Sequence, residues 1–134
     1  MAYATFDESL FPIILITFSE ADPSKDAFEE YLAQLLALYD RKQTVSFVFD
    51  ASKSRILSAD RRTDQANWLK KNAEVIGKYQ KCAVFVLPNL IVRLLFDAIL
   101  AINGFPSPFA VVKSVEEGIK TAQEKLGLDI TNKG

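Results

Sequence analysis

Four cations and three hydroxyls crowd the stretch from Asp50 to Arg62, DASKSRILSADRR: Lys53, Arg55, Arg61 and Arg62 beside Ser52, Ser54 and Ser58. Residues of these types hold anions, because guanidinium groups pair with phosphate or carboxylate oxygens and hydroxyls add short donors. Ser58 is placed to cap a helix, with Asp60 in its first turn. Arg61 and Arg62 then fall in that same turn, where cations oppose the helix dipole. A phosphate, a sulfate or an acidic partner segment, held by these side chains and the free amides of the helix start, would offset the conflict. Solvation and light pairing with Asp50, Asp60 and Asp64 would leave the same charges without any ligand.

Other chemistries are excluded by composition. The chain has no histidine, which removes Ser-His-Asp and Cys-His nucleophiles and any histidine-ligated zinc or iron. It has one cysteine and five glycines, with no CxxC pair, no GxxxxGK[ST] loop and no GxGxxG turn. Cys82, within the apolar run CAVFVL, reads as a small core side chain. Asp50 ends a predicted strand where α/β active sites gather, yet no second acid stands at useful spacing, and an aspartate that bonds loop amides is commoner. The expectation is a chain that is not an enzyme, with no cofactor and no metal.

These groups must be positioned by one compact unit. At 134 residues, 49% of them apolar, the chain has enough material for one core and too little for two, so residues 1–134 read as a single domain with 128–134 as a flexible tail. The 16 Lys and Arg against 17 Asp and Glu give no broad positive field, so nucleic acid is not an expected partner. The start MAYATFDESL lacks the basic and apolar regions of a signal peptide, which makes the expected location cytoplasmic.

The elements follow from periodicity and punctuation. YATFD reads as a short strand, and FPIILITFS is too continuously apolar to be half exposed. Asp22-Pro23 opens helix one, whose Phe28, Tyr31, Leu32, Leu35 and Tyr39 recur at helical spacing. TVSFVFD is the third strand. Helix two follows Ser58, with Ala66, Leu69, Ala73 and Ile76 as its inward stripe, Trp68 beside it and Gly77 at its end. KCAVFVL is a strand, LIVRLLFDAILAI a helix, FAVV a strand, and Ser114 with Glu117 forms a capping box for a last helix that ends at Gly127. The fold class is therefore α/β: a mixed, mostly parallel sheet of about five strands with four helices, the first strand pairing antiparallel.

This order resembles the STAS family (sulfate transporter and anti-sigma factor antagonist), with a long helix between the second and third strands and a serine-bearing loop ahead of helix two. It is similar in particular to the SpoIIAA-like branch of small bacterial single-domain proteins, also described as Sec14-like. The resemblance spans residues 3–126 and is one of pattern. It implies a non-catalytic regulatory module that acts on a protein partner. In anti-sigma factor antagonists of the family, an Asp-Ser-Ser-Gly motif at the turn into helix two carries a serine that is phosphorylated. The matching turn here is Leu57-Ser58-Ala59-Asp60, so Ser58 alone is carried over, and the glycine is missing.

Helix three is the second candidate surface. Eleven of the thirteen residues from Leu90 to Ile102 are apolar, more than one core-facing stripe requires. Thirteen residues are too few for the roughly 18 to 20 of a membrane span. Packing within the fold, a homodimer contact, or a small apolar or lipid-like ligand would each cover the surplus, with Leu94, Phe96, Leu100 and Phe105 as the surface concerned. The leading expectation is a regulatory or binding module working through Asp50, Ser52, Lys53, Ser54, Arg55, Ser58, Arg61 and Arg62, by a protein partner or a phosphate-like anion. The alternative is a carrier of an apolar ligand.

Overall fold

The computed structural model describes residues 3–54 and 57–127, and within the helix at 90–103 the side chains of 90–94, 96 and 100. Strands β1 (Ala4–Leu10) and β2 (Ile13–Phe18) form an antiparallel hairpin. There follow α1 (Lys25–Tyr39), β3 (Val45–Asp50), α2 (Ala59–Lys71), α3 (Ala73–Tyr79), β4 (Gln80–Val86), α4 (Leu90–Asn103), β5 (Phe109–Val112) and α5 (Val115–Leu126). The sheet order is β1-β2-β3-β4-β5, parallel from β2 onward, as expected for a mixed sheet with one antiparallel member.

Alternation along the strands sorts their side chains onto two buried faces. Ile14, Ile16, Phe47, Phe49 and Ala83 pack with Phe28, Tyr31, Leu35 and Leu38 of α1 and Ile76 of α3. Ile13, Val48, Val84 and Val86 point the other way, onto Ala122 and Ile119 of α5. Gly118 lets α5 sit close to the sheet, because a Cβ there would meet Val48 Cγ1 at 3.1 Å. Cys82 is fully buried on this second face, in the core as expected.

Three details differ from expectation. Helix α1 is capped by Ser24, whose Oγ accepts from the Ala27 amide at 3.1 Å, and Asp22 and Pro23 lie before the cap. Helix two is two helices, which makes five among the described residues. The break is Asn72, whose side-chain amide donates to the Trp68 carbonyl at 2.9 Å, a local bond that competes with continued helix. The inward stripe across this region is also thinner than its spacing suggested. Ala66 is exposed and Leu69 and Ala73 are half-buried, so Ile76 in α3 is the one residue of the stripe that is fully buried, with Leu69 packed against the edge of the core.

Candidate functional site

The loop after β3 is anchored before it turns outward. The Ala51 amide donates to the Val86 carbonyl at 3.2 Å, tying the loop to the end of β4. The Asp50 carboxylate accepts from the Ser52 amide at 3.1 Å, and the Ser54 amide and hydroxyl both reach the Ala51 carbonyl, at 3.2 and 3.3 Å. Asp50 is thus spent on a local turn, the ordinary use of an aspartate at a strand end. Ser52 and Lys53 stand exposed at the crest, and Ser54 is half-buried beneath them.

At the start of α2, Ser58 is the helix cap, its Oγ accepting from the Arg61 amide at 3.3 Å. The two arginines are separated by what they bind. Arg61 Nε donates to Asp64 Oδ2 at 2.9 Å with its side chain only 14% exposed, and Lys25 approaches the other Asp64 oxygen at 3.9 Å. Arg62 is exposed, and its Nη1 donates to the Leu57 carbonyl at 2.6 Å. An internal carboxylate therefore occupies Arg61, in the place where an external anion was expected to offset its charge. Arg55 lies outside the described residues, as does the 128–134 tail.

The apolar candidates split between two sides of α4. The Phe96 ring sits 4.9 Å from Phe85, and Phe105 stands edge-on to the same ring at 5.7 Å, so both turn toward the sheet. Leu100 is half-buried. Leu94 points outward and is 62% exposed, in company with Leu90, Ile91 and Val92. Those last three were missed by the sequence reading, although LIV directly after Pro88-Asn89 was already more apolar than one face needs. Open clefts lie along α1. One of about 220 Å³ lies beside β1, with Phe6, Leu38 and Arg41, and one of about 360 Å³ lies between α1 and α2, over Leu32, Leu36 and Trp68. Neither is lined by Leu94, Phe96, Leu100 or Phe105.

The carboxyl ends of β3 and β4 both lead to helices on the α1 face, whereas β5 leads to α5 on the opposite face. Neighbouring loops therefore diverge between β4 and β5, at Leu87-Pro88-Asn89 and Lys113-Ser114, the place in such sheets where a crevice opens. Both helix starts there are already capped: Asn89 Oδ1 accepts from the Val92 amide at 3.0 Å and Ser114 Oγ from the Glu117 amide at 3.1 Å. The loop after β3 lies one strand away, on a stretch of rim without such divergence.

No family model matches the sequence, and no curated protein matches it. A solved structure does: an uncharacterized protein of the DUF3478 family with a SpoIIAA-like fold, from Shewanella loihica PV-4, superposes with a TM-score of 0.70. The likeness covers 89% of this chain and 91% of that one, at 11% identity. The fold is SpoIIAA-like. Ser58 stands at the turn into α2, the helix after the third strand. No helix among the described residues is long and apolar enough to cross a membrane.

Proposed function

We propose that the chain is a non-catalytic binding module that engages a protein partner through the loop from Asp50 to Arg62 and the start of α2. The observation that supports this reading is the contrast within the loop. Its base is pinned by Ala51 to Val86 and by the Asp50 turn, while Ser52, Lys53, Ser58 and Arg62 stand exposed on it. Donors presented from pre-ordered turns at the two ends of the loop lose little entropy when a partner seats on them. Asp50 is committed to its own turn, which leaves it poorly placed to act as a base. The engagement of Arg61 by Asp64 favours an acidic protein segment at Lys53 and Arg62 over a free anion held by paired arginines. A role for Ser58 as a phosphorylated switch belongs to the same surface, but its cap bond explains the serine without one.

Affinity capture from the native cell extract, with the parent and a Lys53→Ala/Arg62→Ala variant as baits, tests the proposal. The parent is expected to retain a discrete protein that the variant loses, with the retention weakening as salt rises. Equal capture by both baits would remove this loop as the working surface.

A further inference from the structure

Among its described residues, helix α4 shows two apolar sides, one packed on the fold and one exposed. Phe96 turns inward onto Phe85, and the Arg93 guanidinium bends back to the Leu87 and Pro88 carbonyls, at 3.1 and 3.0 Å. Leu90, Ile91 and Leu94 lie on the other side, within about 100° of helix surface, and are 58, 68 and 62% exposed. Three such side chains show on the order of 350 Å² of apolar surface, the size of the largest patch on a typical monomer, which is often functional.

We infer that this outer face of α4 pairs with the same face of a second copy of the chain about a twofold axis. The area fits. A stable interface takes roughly 800 Å² from each partner, a little over half of it apolar, and the three side chains supply most of that apolar share. The charge fits as well. The helix carries two charged residues, Arg93, turned onto its own backbone, and Asp97, a turn nearer its far end, so a twofold axis through Leu90, Ile91 and Leu94 brings no like charges directly face to face. A lipid surface would call for lysines and arginines flanking the apolar face. The described part of this helix offers none free, and the chain's net charge is −1. The face shares no residue with the loop proposed for partner binding.

Sedimentation velocity from about 1 to 200 μM tests the pairing, a range that brackets micromolar dissociation constants. The parent is expected to pass from monomer to dimer across that range. Ile91→Glu and Leu94→Glu, each at an exposed position and each checked for an unchanged circular dichroism spectrum, are expected to raise the dissociation constant at least tenfold. Lys53→Ala/Arg62→Ala is expected to dimerise like the parent, so loss of partner capture and loss of pairing are read separately. A parent that stays monomeric at 200 μM, or a dimer that survives both glutamates, would overturn the inference. Flotation of the monomeric parent with phosphatidylserine vesicles would overturn it in favour of a lipid surface.

Discussion

Arg61 and Asp64 form an ion pair one helical turn apart, Nε to Oδ2 at 2.9 Å, in the first two turns of α2. Arg61 sits where a cation opposes the helix dipole, and Asp64 supplies the compensating charge from within the same helix. Of the two uses the sequence allowed for Arg61, an external anion or a pairing with a nearby aspartate, the folded chain shows the second.

The pair makes the phosphate response conditional. Added phosphate at about 10 mM is expected to leave the melting temperature of the parent unchanged. In Asp64→Asn, which releases Arg61 beside Ser58, the same addition should raise it by about 1–2 °C, the size of effect given by ligand near its dissociation constant. Differential scanning calorimetry of both proteins decides it. An equal rise in the parent would mean that the pair does not hold Arg61 back.

Tyr39 donates its hydroxyl to Gln80 Oε1 in the core, and Gln80 Nε2 donates to Ser107 Oγ at 2.7 Å. This chain joins the end of α1, the start of β4 and the turn before β5. Tyr39→Phe leaves the amide oxygen buried without its partner, at an expected cost of about 1–3 kcal/mol. The double variant Tyr39→Phe/Gln80→Leu should cost less than the sum of the two single changes, because the second removes the group that the first stranded. Urea unfolding of the three variants measures this, and strict additivity would argue that the two residues are not coupled.

Alkaline stability should depend on Tyr3. Burial first, and the nearby Asp22 carboxylate second, push its phenol up to about 12. The unfolded phenol titrates near 10, so the fold holds the protonated form. Its contribution is complete below pH 10 and is lost as pH climbs through 12, by up to about 2–3 kcal/mol. Tyr31 and Tyr39 are also raised by burial and share in the parent's loss. Tyr3→Phe is therefore expected to flatten, without abolishing, the fall in unfolding free energy between pH 10 and 12. A curve parallel to the parent's would show that Tyr3 titrates as freely in the folded protein as in the unfolded one.

Much of the architecture was legible before any coordinates, for physical reasons that specific residues show. The run from Ile13 to Phe18 is apolar at nearly every position, which only a strand covered on both faces tolerates, and β2 indeed turns Ile14 and Ile16 to the α1 layer and Ile13 and Leu15 to the α5 layer. Val45, Phe47 and Phe49 alternate with Ser46 and Val48 because the pleat sends them to opposite layers. Ser58 and Ser114 are caps wherever the chain goes, since a cap bond closes within three residues.

The candidate site was legible only as a set of residue types. The chain by itself determined its strands, most of its helix boundaries and the cluster of cations near Ser58, because each depends on neighbours a few positions away. Tertiary structure alone decided that Asp64 and Lys25 converge on one site, and that Phe96 faces the sheet while Leu94 faces solvent. It also decided that loops diverge between β4 and β5 and not beside β3. Such facts depend on which elements pack together, and free energies of packing are sums over residues far apart in sequence, which no local pattern records.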